Sequence, residues 1–238
     1  MCARAPSFLT FMTFRQRLPL ARACHSLPRM AASTPTPQPL STAGRTLLAL
    51  ALVSSLAVFL LTVWPALGGT IRPRHADHWG WVLLHTLTGL IMLVTGPLNL
   101  WIGETRRGFE WHRHVGCTYI GAGYTATLAA LAVNWRNPHG NLSIALSTTL
   151  LALAWMLTAS MGWRTGARKR FAAHRSWMIR SYVLTWSFVL CRLVQRTQAA
   201  SLLGEGGVAL VVWLTWLGPL LLCEIALQWR RLRGTAQA

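Results

Sequence analysis

Six residues of this 238-residue chain stand where a polar group is expensive: His85, His112, His174, Arg180, Arg192 and Glu224 fall inside or at the edges of long apolar runs. An ionisable side chain in hydrocarbon needs a partner, a path or a ligand. His112 opens one run within Trp111-His112-Arg113-His114. His112, Gly116, Tyr119 and Gly123 are spaced by 4, 3 and 4 and share one helical face. His174 opens another run, in His174-Arg175-Ser176-Trp177-Met178-Ile179-Arg180-Ser181, where His174, Met178, Ser181 and Thr185 share a face. Each histidine thus heads a face of small or adaptable side chains, which lets something flat come close: another helix, or a porphyrin. An iron held between the two would need each imidazole nitrogen at about 2 Å, with a slot between the rings. Arg113, Arg175 and Arg180 surround that level and suit an anionic or propionate-bearing ligand. His85 heads a third face near the opposite end, continued by Thr88, Gly89, Met92 and Gly96, with Arg192 at a similar depth and His75, His78 and His139 in nearby loops. Glu224 and Arg180 lie at matching depths in consecutive runs and are expected to pair. A plainer reading of the same residues is also open: interfacial histidines beside snorkelling arginines, and glycines that serve helix packing alone.

The elements that must position these residues follow from the apolar pattern. Hydrophobic residues make up 53% of the chain and charged residues 12%, about half the charged share of a soluble domain. Mean hydropathy is +0.39. Lys and Arg number 23 against 5 Asp and Glu. In a soluble protein that excess would suggest nucleic acid, but here the cations bracket long apolar runs, as in membrane proteins, and no nucleic-acid partner is expected. Six runs, at approximately 46–66, 80–102, 113–134, 142–163, 175–196 and 207–229, each come near the roughly 20 residues that cross hydrocarbon. The fold class is therefore all-α: an integral membrane bundle of about six transmembrane helices in a lipid bilayer. Short connections make neighbours antiparallel. Tryptophans such as Trp101, Trp111, Trp135, Trp163 and Trp229 mark the run ends as an aromatic belt would, and Pro97 and Pro219 fall inside runs. Cations collect in the N-terminal segment, around Arg106, Arg107 and Arg113, from Arg164 to Arg175, and after Arg230, leaving only Arg72, Arg74, Arg136 and Arg196 for the other side. That segregation predicts both termini in the cytoplasm.

Residues 1–45 form a basic, acid-free tail with Pro35, Pro37 and Pro39, expected to lack stable structure. It reads either as a transit segment or as a start assigned ahead of Met30. Residues 46–229 form the membrane domain and 230–238 a short basic tail. The five cysteines form no CxxC pair and suggest neither a disulfide framework nor a zinc site.

The stretches LH (84–85), TGPLNLW (95–101), HR (112–113), GCTYIGAGY (116–124) and AAHRSWMIRSY (172–182) resemble the bacterial predicted-membrane-protein family called domain of unknown function 2306, with a family-like core over about 80–195. The resemblance implies a multi-pass protein of the bacterial inner membrane and brings no known reaction. A looser analogy is to six-helix b-type cytochromes, in which the third and fifth helices share one haem. His112 and His174 match that pair, whereas residues 142–163 hold no histidine to match a second. Three functions stay open. One is a haem-b electron-transfer protein with His112 and His174 as axial ligands and a quinone or other redox partner. Another is a small proton or anion transporter using the intramembrane His, Arg and Glu. The third is an accessory subunit whose polar residues join helices. No catalytic residue is singled out, because the one Asp, Asp77, lies in a loop. Whether the chain is an enzyme, and its oligomeric state, are left open.

Overall fold

The structure is a computed structural model, and it describes residues 42–58, 60–61, 78–136, 141–196 and 204–235. Expectations for residues 1–41, and for Arg72 and Arg74, lie outside the described residues. The described elements are all helical: α1 (Thr42–Val58), α2 (Trp79–Thr105), a single 3-10 turn (Phe109–Trp111), α3 (His112–Trp135), α4 (Leu142–Ala167), α5 (Phe171–Arg196) and α6 (Gly204–Thr235). These are the six apolar runs with shifted boundaries, α4 running on to Ala167 and α5 starting at Phe171. Helix α1 begins at Thr42, inside the expected tail, and α6 continues to Thr235, through most of the expected C-terminal tail. Both prolines are accommodated within continuous helices, Pro97 in α2 and Pro219 in α6.

Among the described residues, four segments are long and apolar enough to cross a membrane on their own composition: Trp79–Thr105, Phe109–Trp135, Leu142–Ala167 and Gly206–Trp229. Helix α5 has the length, with 26 residues, which at 1.5 Å each reach about 39 Å. Its sequence is far more polar because it sits inside the bundle. Arg180, Ser181, Thr185 and Ser187 are all buried. The outer faces show the opposite pattern. Leu150, Leu153 and Leu157 on α4 and Leu214, Leu221 and Leu222 on α6 are exposed, as contact with a lipid bilayer requires.

Packing follows the short connections. Helices α2 and α3 form one antiparallel hairpin, and α4 and α5 form a second. Helix α3 packs on α4 and α2 on α5, which closes a ring of four with α3 and α5 on one diagonal. Helix α1 lies against α2 and α5, and α6 against α5 and α4. The core between them holds Met92, Tyr119, Ile120, Trp155, Ala159, Met178, Leu184 and Trp216. Not every tryptophan belongs to the belt. Trp111, Trp135 and Trp229 are exposed near helix ends, but Trp155, Trp186 and Trp216 donate their indole N–H to Thr185, Ser54 and Ser147, each at 2.9 Å, and so join helix to helix. A buried indole needs such an acceptor.

The hairpins put the α2–α3 and α4–α5 turns at the same end of the bundle, with the basic residues they carry. Both chain termini are expected on that side, in the cytoplasm. A cytoplasm-active reporter fused after Ala238 should be active and a periplasm-active one silent; the reverse pattern would refute the orientation.

Candidate functional site

A cavity of about 260 Å³ lies between α2, α3 and α5 at the end that carries the two basic turns. His112 and His174 both line it, one from each diagonal helix. Their ring centroids are 6.2 Å apart and their planes are turned by 76°. His174 Nδ1 lies 2.8 Å from the Gly162 carbonyl oxygen. A carbonyl can only accept, so Nδ1 carries the donated proton. His112 stacks on Phe109, with centroids 5.2 Å apart and planes within 11°. Its Nδ1 is buried near the Asn99 backbone without a hydrogen bond of ordinary length.

Each ring is seated on a glycine of its own hairpin partner. A Cβ on Gly103 of α2 would come within 3.2 Å of His112 Cε1. A Cβ on Gly166 of α4 would come within 2.9 Å of His174 Nδ1. A Cβ at 166 would force the His174 ring to shift, whereas one at 103 would press the His112 ring by only a few tenths of an ångström.

The glycines expected to face a flat ligand do something else. Gly116 makes room for the Asn99 side chain, whose Nδ2 would stand 3.1 Å from a Cβ there, and Gly123 makes room for the Trp155 indole. Their face is thus filled by protein, and they lend no support to a porphyrin at those positions. The cation set also changes. Arg180 turns away from the cavity toward α6, where its guanidinium makes a bidentate pair with Glu224, Nη2 to Oε2 being 2.8 Å, and lies 4.8 Å from the centroid of the Trp177 ring. It is therefore committed to a carboxylate of the chain itself. Arg175 does line the cavity, paired with Glu104 of α2. Arg113 is half-buried at the start of α3 and is not part of the lining, whereas Arg106, stacked over Phe109 at 4.7 Å, is.

The remaining predicted residues lie elsewhere. His85 Nδ1 is 2.9 Å from the Ala126 carbonyl oxygen, and the ring meets Phe188 edge-on. Arg192 stacks over the other partner of that contact, Phe188, at 5.3 Å. It is twelve residues from Arg180 along α5, roughly 18 Å, so it is not part of the Arg180–Glu224 pair. His78 Nε2 lies 3.1 Å from the Arg136 carbonyl oxygen, and His75 and His139 are outside the described residues.

The cavity floor was not anticipated. Tyr119 hydroxyl lies 2.8 Å from Thr185 Oγ1 and 3.3 Å from Ser181 Oγ. The Tyr182 ring covers Gly96. Its hydroxyl, near Ser55, makes no hydrogen bond of ordinary length, and neither does Asn99 Oδ1. Asn99 is 6% exposed. Asn99, His112 and Tyr182 all line the cavity, and Asn99 Oδ1, His112 Nδ1 and Tyr182 Oη are buried behind its wall, the last two facing the Asn99 backbone and Ser55 beyond ordinary hydrogen-bond length. Among the described residues, no three His, Cys, Asp or Glu come together to hold a bare metal ion.

One signal for this arrangement was present in the sequence. Trp101-x4-Arg106-Arg107-x-Phe109-x2-His112-Arg113 recurs as Trp163-x4-Arg168-Lys169-x-Phe171-x2-His174-Arg175. The two copies occupy the turns of the two hairpins, and Phe109 and Phe171 both line the cavity. Exchanging the hairpins maps α3-on-α4 packing onto α5-on-α2 packing. The site therefore lies between two equivalent halves.

The family described as Predicted membrane protein (DUF2306) matches residues 82–227, which is more than half of the chain and reaches from α2 into α6. No curated protein and no solved structure matches the chain. The analogy to b-type cytochromes gains no support from these comparisons.

Proposed function

The chain belongs to the predicted membrane protein family DUF2306, and on that premise we propose that it is a haem-b-binding electron-transfer protein of a bacterial inner membrane, in which His112 and His174 would hold the iron. The observation that carries this reading is the diagonal imidazole pair at a 6.2 Å centroid separation. Two metal–nitrogen bonds of about 2 Å, plus about 1 Å from each nitrogen to its ring centre, add up to nearly that length. Two imidazoles alone do not complete a metal's coordination, and no third His, Cys, Asp or Glu joins them among the described residues. A porphyrin brings four nitrogens of its own, so a pair is enough. The Nδ1 bond of His174 to Gly162 is also the kind of outer contact that orients a ligating imidazole.

Haem held here would supply one-electron transfer, for which a quinone in the bilayer is the natural partner. The chain's own residues bind, orient and shield. Arg106 at the cavity suits a carboxylate, Arg175 being paired with Glu104, and Tyr119 and Met178 close the floor. The cavity is smaller than a whole macrocycle. Phe109 and Phe171, both exposed, are the side chains that would turn outward to admit the rest. A second reading draws on the same compactness. His112 at the cavity wall could donate a hydrogen bond to a carbonyl of a quinone ring bound directly, with no iron.

The test is purification from haem-replete cells. A Soret band, α-bands that sharpen on reduction and about one haem per chain are expected. Colourless protein would overturn the haem reading, and quinone retained by that colourless protein would favour the second.

A further inference from the structure

We infer that the two basic turns form a headgroup site for a lipid that carries two phosphates, one phosphate at Arg106 and Arg107 and the other at Arg168 and Lys169. The site lies on the turns, outside the cavity, and does not depend on what the cavity holds.

Charge complementarity is the first support. Residues 101–113 and 163–175 carry eight Lys and Arg against two Glu. One of the two, Glu104, is taken by Arg175. Among the described residues the ion pairs are that one and Arg180–Glu224, so Arg106, Arg107, Arg168 and Lys169 belong to none. All four are exposed. They lie at an end of the bundle that meets the lipid headgroups, and basic clusters at that level draw anionic lipid.

The backbone is the second. Arg106 (φ 59°) and Lys169 (φ 56°) are the two non-glycine residues with positive φ among those described. Each follows a helix end in the left-handed conformation that glycine adopts most readily. The Arg106 N–H donates to the Ile102 carbonyl and the Lys169 N–H to the Gly166 carbonyl, both at 2.9 Å. In both turns, then, a long cation occupies a position whose backbone favours glycine.

Duplication is the third. Arg106-Arg107-x-Phe109 recurs as Arg168-Lys169-x-Phe171. Phe109 and Phe171 are exposed and line one cavity, so the two copies flank a common opening. Two like cation pairs, each followed by an apolar ring, match a lipid whose two phosphates share one bridge. A single such molecule serves both halves, because its second phosphate arrives tethered to the first, whereas two single-phosphate lipids must be captured separately. The occupant so selected is diphosphatidylglycerol.

The test titrates the full chain in neutral micelles with diphosphatidylglycerol, with phosphatidylglycerol at equal phosphate, and with inorganic phosphate. Bound lipid and thermal unfolding are read. Diphosphatidylglycerol should bind as a single molecule per chain and raise the unfolding temperature more than either control. R107Q and K169G each take a cation from one turn and should weaken that binding about fivefold, and about twenty-five-fold together. K169G also puts glycine at the positive φ, so without lipid it should be no less stable than wild type, which separates lost lipid from lost fold. R164Q removes a cation of the same end whose counterpart in the other turn is Ile102, and should weaken binding less than about twofold. Absence of bound diphosphatidylglycerol, equal stabilisation by the two lipids, or equal protection by inorganic phosphate would overturn the inference. So would an R164Q loss as large as that of R107Q, which would mean diffuse attraction to a basic surface. His112 and His174 are unchanged throughout, so the haem reading stands or falls separately.

Discussion

Glu224→Gln is expected to destabilise the protein by about 2 kcal/mol, below the range for stripping one partner from a fully buried ion pair because the Glu224 side chain is 37% exposed where that of Arg180 is 9%, and adding Arg180→Gln should return most of that loss. Arg180 is 8% exposed and points from α5 at α6. Both Glu224 carboxylate oxygens meet its guanidinium, so the pair has the two-pronged geometry in which Arg and carboxylate bind best. The Trp177 ring covers the guanidinium. Outside this pair, the surroundings on α6 are exposed Leu221, Leu222 and Ile225, which belong to the hydrocarbon-facing surface. Gln at 224 would leave a cation with no neutralising charge in that setting, which is worse than having neither charge. The double variant exchanges a charged pair for neutral amides able to hydrogen-bond each other. Unfolding of the four proteins in mixed micelles closes the double-mutant cycle. Losses that simply add would show that the two residues act independently. The pair also explains how α6 is attached. That helix is apolar almost throughout, and lipid solvates its leucines as well as protein does, so a polar pair supplies specificity that apolar contact cannot.

The pairing of Arg180 with Glu224 was legible in the sequence because depth along a helix is a matter of counting, at 1.5 Å per residue. The same counting placed His112 and His174 at one level, and in the structure their ring centroids lie 6.2 Å apart with the planes turned by 76°. Helix existence was equally legible, since runs such as 142–163 have little alternative to an apolar helix. What counting cannot give is the angle about the helix axis. Arg180 shares α5 with Arg175, and counting depth allowed both, with Arg113, to serve one ligand. In three dimensions Arg180 faces α6 and only Arg175 faces the cavity. Glycines are ambiguous for the same reason. Gly116 and Gly123 lie on the His112 face, yet what fills the space before them comes from α2 and α4, which no local pattern reveals. The glycines that do touch the histidines, Gly103 and Gly166, sit on the other helix of each hairpin. Asn99 and Tyr182 looked like ordinary members of α2 and α5; only the cavity singles them out. The duplicated turn was visible in principle, but its meaning depended on the hairpins packing as a ring with α3 and α5 opposed.

Gly123→Ala should be the most damaging single-methyl change in the described bundle, with Gly121→Ala close to neutral two residues away. A Cβ on Gly123 would lie 2.0 Å from Trp155 Cη2 and 2.2 Å from Cζ2, distances at which atoms must move. The indole is not a flexible end that can swing away. Trp155 is 3% exposed and packed beside Tyr119 and Tyr124. Its N–H donates to Thr185 Oγ1 at 2.9 Å. The Thr185 hydroxyl proton goes to the Ser181 carbonyl at 3.0 Å, so Thr185 Oγ1 accepts from Trp155 and also from the Tyr119 hydroxyl at 2.8 Å. One methyl group at 123 therefore pushes the indole off an acceptor that three helices share. Overpacking costs about 1–3 kcal/mol, and a buried indole N–H stripped of its acceptor adds about 1–3 kcal/mol. Gly121 has nothing within 4 Å of its built Cβ and faces outward, so alanine there meets no protein atom, and its better helix propensity is worth up to about 1 kcal/mol. Thermal unfolding of both variants in one detergent reads the contrast directly. A similar small effect at 121 and 123 would mean that α3 and α4 can separate without cost. The shared Tyr119–Thr185–Trp155 cluster would then not be what sets the spacing of the diagonal helices, and the separation of His112 from His174 would need another support.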